Sequence, residues 1–155
     1  MRFPLSKYMK NKVNKSIILF FIGAISYGLV ELFWRGYTHI SMLIVGGMMF
    51  LVIGGINEYL PWDLPLETQC LIGAIAVTVT EFVVGLILNV WLGLGIWDYS
   101  NMAGNIMGQI CPIFSLAWIA LSFVAILLDD YIRYKLWNEK RPKYTSIIST
   151  IFGKE

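Results

Sequence analysis

The sequence predicts an all-α, polytopic membrane protein, and three observations carry that prediction. Of the 155 residues, 57% are hydrophobic and only 14% charged, where a soluble domain carries roughly a quarter charged residues. The apolar runs are long enough to cross a bilayer, whose hydrocarbon core takes about 20 helical residues. Those runs lack the strict alternation of barrel strands, and a backbone in lipid must bond to itself, so helices remain.

The elements follow in order. The opening stretch "MRFPLSKYMKNKVNK" carries five Lys or Arg and no acid. The apolar run behind it ends at no small-x-small cleavage site and continues into "ELFWRG", which predicts a retained first span over about Ser16 to Trp34 rather than a signal peptide. A second span is expected over about Ser41 to Ile56 and a third over about Cys70 to Ile96, long enough to tilt or protrude. The fourth covers about Pro112 to Leu128. This gives a basic tail (1–15), a four-helix transmembrane domain (16–130) and a second basic tail (131–155). In that second tail Ile147, Ile148, Ile151 and Phe152 stand at helical spacing, which fits either a short helix on the membrane surface or a frayed end.

Charge sets the orientation. Eleven of the 12 Lys and Arg lie in the two tails, and Arg35 alone lies between the first and last spans. Basic segments stay cytoplasmic, so both termini are expected inside, which requires an even number of spans and agrees with four. Trp34, Tyr37, Trp91, Trp97 and Tyr99 are expected in the outer aromatic belt, and Tyr59, Trp62, Tyr131, Tyr134 and Trp137 in the inner one.

Within "TVTEFVVGLILNVW" (78–91) the third span carries Glu81 near its centre, with Gly85 and Asn89 at i+4 and i+8 on the same helix face. An unpaired charge there costs roughly 2.5 kcal/mol or more, so Glu81 is expected to face the interior and to pair or take up a proton. Two uses are open: a polar seam where a cation, proton or polar substrate group is met, or a packing anchor bonded to a neighbouring helix. Glu31 and Arg35 stand at i and i+4 at the outer end of the first span, the spacing of a helical ion pair, and are expected to neutralise each other or to join the seam. If Arg35 stays with Glu31, Glu81 is expected to be neutral and hydrogen-bonded. His39 reads as an interfacial polar residue.

The stretch "WDYSNMAGNIMGQICP" (97–112) repeats Asn101, Asn105 and Gln109 at i, i+4 and i+8. The spacing predicts a short amphipathic helix, capped by Asp98 or Ser100 and ended near Pro112. It would lie on the outer surface or dip in as a re-entrant half-helix, with Asp98, Asn105 and Gln109 at an outer mouth. In the second span Gly46 and Gly54, and Gly47 and Gly55, fall two turns apart, as residues that let helices approach closely. The segments "GLVELFW" and "GLILNVW" resemble each other, and the returning spans finish with Asn57–Glu58 and Asp129–Asp130. That fits a duplicated hairpin or chance.

Other chemistries find no foothold. There is no P-loop, dinucleotide glycine motif, H-E-x-x-H or nucleophile elbow. Cys70 and Cys111 have no metal-ligand spacing, and the predicted topology puts them near opposite faces, too far apart for a disulfide. No cofactor or metal is expected, and no nucleic-acid partner, since the basic tails lie against anionic lipid.

The elements E-F-x-x-G (Glu81, Phe82, Gly85), W-D-Y-S (Trp97 to Ser100), G-N-x-x-G-x-I-C (Gly104, Asn105, Gly108, Ile110, Cys111) and S-x-x-W (Ser115, Trp118) resemble the small bacterial membrane proteins of the ABC-transporter type IV family, also labelled CmpB-like permeases. The resemblance covers roughly residues 28 to 130 and is strongest from 80 to 118. Near the first span the family tends to carry N-R-G-F-L-Y-G-P. This chain keeps Arg35 and Gly36 there and lacks the proline. The resemblance implies a transport permease in a bacterial plasma membrane. The leading expectation is therefore a non-enzymatic permease-like subunit in the lipid bilayer, as a homo-oligomer or beside a partner membrane subunit, with any ATPase supplied by another chain. The rival is a non-transporting scaffold or accessory that binds another membrane protein. A membrane enzyme ranks third, for want of a nucleophile and base pair. Topology reporters fused after Lys15 and at the C-terminus should both read cytoplasmic. An external C-terminal reporter would refute the even span count.

Overall fold

The computed structural model describes residues 12–61, 64–140 and 143–147. Among these the regular structure is helical, and the sole bridge pairs Ile106 with Ile110. Helix α1 is Lys12–Arg35, α2 is Ile40–Gly54 and α3 is the single turn Ile56–Tyr59. Helix α4, Leu66–Gly85, runs on as a π-helical segment, Leu86–Trp91, and α5 is Pro112–Trp137. Three of these are long and apolar enough to cross a membrane: Lys12–Arg35, Leu66–Trp91 and Pro112–Trp137. Helix α2 is apolar but has only 15 residues. Large apolar side chains such as Phe21, Ile25, Val79, Val83, Leu116 and Phe123 point outward, as lipid-facing surfaces require.

Local chemistry sets the helix ends. Gly36, at φ +79°, ends α1, a conformation that suits glycine. The His39 side chain accepts from the Ser41 amide and caps α2, so the interfacial histidine has a structural task. Pro112 opens α5 after an extended Cys111, where its missing N–H costs nothing. Asn138 closes α5 in the left-handed conformation.

Glycines set the packing. Helices α1 and α2 form an antiparallel hairpin with little space between backbones. A Cβ on Gly46 would stand 2.6 Å from Tyr27, one on Gly47 2.7 Å from the Phe20 carbonyl, and one on Gly23 2.2 Å from the Phe50 Cβ. Helices α4 and α5 form the second hairpin, with Gly73 against the Ser122 hydroxyl. The hairpins join where α2 meets α5, through Gly54 beside Asp129 and a core of Ile53, Val77 and Ile126. Gly55 differs from the other three. Its nearest neighbours are the Leu51 carbonyl of its own helix and the Tyr59 ring, and it marks the step from α2 to α3.

The start of α1 and the end of α5 lie together. Lys15 pairs with Glu139 and sits over the Trp137 ring at 5.6 Å. The segment 143–147 then crosses the start of α4, where the Leu66 amide donates to the Thr145 carbonyl at 2.9 Å and the Ile147 amide to Glu67 at 3.1 Å. The surface-helix reading of the second tail falls largely outside the described residues, with Ile148, Ile151 and Phe152. Trp62 lies outside them too.

Two expectations need correction. Residues 97–111 form no helix. Gly104, Met107 and Gly108 all take positive φ, and the Asn105 side chain bonds its own loop backbone instead of lining a helix face. The belts also lose members. Trp34 (74% exposed) and Trp91 (80%) face outward, whereas Trp97 (8%) and Trp137 (5%) are buried. Leu at Gly47 or Gly54 should cost about 1–3 kcal/mol by overpacking, seen as a lowered melting temperature in detergent. Ala at Gly55 should cost less than either.

Candidate intramembrane site

The site is built from α4 outward. Glu81 is buried (6% exposed). Its Oε1 accepts from the Tyr99 hydroxyl at 2.9 Å and its Oε2 from the Trp118 indole N–H at 3.0 Å. One turn on, a Cβ at Gly85 would stand 2.5 Å from Gln109 Oε1 and 3.1 Å from the Trp97 ring, so only glycine admits the loop there. Next comes Asn89, whose Oδ1 accepts from the Ile96 amide at 2.7 Å and whose Nδ2 donates to Gln109 Oε1 at 2.9 Å. The Glu81–Gly85–Asn89 face is thus the seat of the 96–110 loop, which folds back along the helix it has just left.

The loop is held by its own polar groups. The Trp97 indole donates to the Gln109 carbonyl at 2.9 Å and the Tyr99 amide to the Gly108 carbonyl at 2.7 Å. Asn105 bonds the Ser100 and Met102 carbonyls and the Gly108 amide. Exposed Asp98 accepts from the amide and hydroxyl of Ser100. These two bonds hold its carboxyl below the usual range, so its contribution to the loop is present above that range and lost as pH falls through it. Of the three residues expected at an outer mouth, Asp98 is exposed, Asn105 staples the loop and Gln109 is buried under it.

The partners of Glu81 have a chemical consequence. An unpaired intramembrane charge costs roughly 2.5–3.5 kcal/mol, and a hydrogen bond to a charged group contributes about 1.5–3 kcal/mol. Two donors therefore offset the cost without a base. A phenol can also accept, so Glu81 can instead carry a proton on Oε1 and donate it to Tyr99. The same two neighbours serve both forms of the acid.

The outer pair forms as the spacing predicts. Arg35 bonds Glu31 at 2.6 Å, and Glu31, itself buried, also receives Thr38 and Tyr27. The guanidinium reaches on to the Ile96 carbonyl at 2.9 Å, tying α1 to the loop. Arg35 does not pair with Glu81, which has no ion pair among the described residues. Between the two acids runs a cleft flanked by α1 and α5. Its deeper hollow, about 130 Å³, is lined by Tyr27, Glu81, Trp97 and Trp118 among apolar side chains. Its outer hollow, about 240 Å³, adds Glu31, Trp34, Arg35, Tyr99 and Phe114.

A second polar cluster, at the end carrying Lys15, was not foreseen. Asp130 accepts from Asn57 at 2.8 Å and from Tyr144 at 2.7 Å. Buried Asp129 pairs with Arg133, which lies 3.9 Å from both Glu58 and Glu139. The available signal was the acid or amide doublet closing each returning span, with Arg133 one turn beyond Asp129. Among the described residues no group of three or more His, Cys, Asp or Glu could hold a metal ion.

Fold and site together define a multi-pass helical membrane protein with a hydrogen-bonded acid buried between two hairpins. The model of the family described as "Putative ABC-transporter type IV" matches residues 35–153, and the chain belongs to that family. The match takes in Arg35, Glu81, the folded-back loop and the second cluster. No curated protein and no solved structure matches the chain. Asn89→Ala removes the bonds that dock the loop and should lower stability by about 1–3 kcal/mol, with faster proteolysis within 97–110. Asp98→Asn keeps an oxygen that can accept from Ser100 and should change both readouts less than Asn89→Ala.

Proposed function

We propose that this chain is a permease-like subunit that crosses the bacterial plasma membrane four times, both termini inside, with Glu81 at the centre of its intramembrane site. The carrying observation is the Glu81 environment: a buried acid beside a cleft, held by neighbours that suit both its charged and its neutral form. An anchor needs one set of bonds; an acid that meets and releases a cation or proton needs partners for two states. Intramembrane acids commonly mark such pathways.

The four-span reading draws support from the ends of the helical bundle. With the start of α1 beside the end of α5, three crossings would put those ends on opposite faces. Helix α2 spans about 22 Å at 1.5 Å per residue, and α3 extends its course. Glu31 and Arg35 act as a self-neutralised outer pair that positions the loop, and Asn89 and Gln109 hold that loop over the seam. The work is binding and passage rather than catalysis. Another subunit, a second copy or a separate ATPase would complete the assembly.

Glu81→Gln should keep the fold, because an amide can still bond Tyr99 and Trp118, and should abolish activity that cycles a proton or cation. Full activity in that variant would leave only an anchor. Co-purification from native membrane addresses the assembly: a recovered ATPase fits the permease reading, and a recovered non-transport protein favours the scaffold.

A further inference from the structure

We infer that the cleft between α1 and α5 binds a lipophilic organic cation, an aryl- or alkylammonium whose charge meets Glu81. This deepens the permease reading and rests on it for the purpose of the site. The first ground is charge matching. Glu31 is matched by Arg35, Asp129 by Arg133 and Glu139 by Lys15. Glu81 and Asp130 are the buried acids met only by neutral donors. Asp130 shares its hollow with Arg133 and Lys140, whereas no Lys or Arg lines the hollow at Glu81, so the ionised form of Glu81 has an electrostatic vacancy for a positive charge.

The lining is the second ground. Tyr27, Trp97 and Trp118 line the same hollow as Glu81, with the Tyr27 and Trp118 rings 6.0 Å apart and tilted by 36°. Aromatic rings attract organic cations, most strongly where water is excluded. The same lining disfavours other classes. A hard metal ion wants about six or more oxygens, whereas the deeper hollow offers Glu81 and the hydroxyls of Ser26, Tyr27 and Ser122. A sugar or peptide would bury many polar groups without partners.

The approach is the third ground. Val30 (41% exposed) and Val124 (56%) line the deeper hollow and Trp34 (74%) the outer one. The cleft therefore reaches the surface that faces lipid, and a solute dissolved in the bilayer can enter between the hairpins. Its size, about 130 Å³ within and 240 Å³ outside, suits a cation built on a single ring.

Two probes of the same shape decide the matter: phenyltrimethylammonium and its uncharged counterpart tert-butylbenzene. Each is titrated calorimetrically into the full chain in detergent, with empty micelles subtracted. Wild type should bind the cation at least tenfold more tightly than the neutral probe. Glu81→Gln should remove that preference while leaving neutral binding unchanged. Equal affinities in wild type, or a preference that survives Glu81→Gln, would overturn the proposal. The wild-type comparison stands even if the variant does not fold. Flux in proteoliposomes separates this inference from the permease reading. Selective binding without flux in the complete assembly counts against the permease and leaves the site. Proton flux without selective binding does the reverse.

Discussion

A carboxyl group placed halfway along an apolar helix has to be answered from within the protein, because lipid offers nothing. Most of the architecture around Glu81 follows from that demand. The Trp118 indole draws α5 against α4, and the Tyr99 hydroxyl draws the loop back along the bundle. Bringing the loop in requires room at Gly85 and a tether at Asn89. Once it is in place, its Ile96 carbonyl receives Arg35, and α1 is joined to the same network. One buried acid thus organises contacts among three helices and a loop, beside an apolar cluster of Met42, Ile96 and Trp97.

The opposite end of the bundle solves a similar problem by different means. Asp129 and Asp130 are also buried, but they have Arg133, Asn57 and Tyr144 close by. A guanidinium matches charge where Glu81 has only neutral dipoles. Close to the helix ends long basic side chains can remain partly hydrated while they pair, a freedom that is reduced midway along an apolar helix. The two clusters therefore differ in make-up: an ion-paired joint near the helix ends, and midway along α4 an acid met by neutral donors.

Much of this was legible in the sequence where the signal was periodic or costly. Glu81 stood out because lipid penalises it, Glu31 and Arg35 because helix geometry fixes their spacing, and Gly46 and Gly47 because small residues repeated along one span. The loop was read wrongly for a physical reason. Asn101, Asn105 and Gln109 have helical spacing, yet Gly104 and Gly108 lie between them, and the Asn105 side chain bonds the local backbone. The identities of Tyr99 and Trp118 as partners of Glu81 depend on tertiary contacts 18 and 37 residues away, which periodicity does not encode. Trp97 and Trp137 were assigned to interfaces on residue type alone, whereas burial of each ring depends on the segment folded over it.

The π-helical segment Leu86–Trp91 carries a consequence of its own. A π turn holds one residue more than an α turn, so it acts as a phase shift in the helix. Everything beyond it is rotated by about 100° relative to an uninterrupted α-helix. Asn89 lies inside that shift and Gly85 at its edge, so the angular position of the loop anchor is set by residue count as much as by residue type. Removing one residue from this stretch would let the helix relax to ordinary geometry while every side chain kept its identity, and the loop would leave the helix in another direction. The length of the segment is thereby a variable separate from its composition, one that a change in hydropathy would never register.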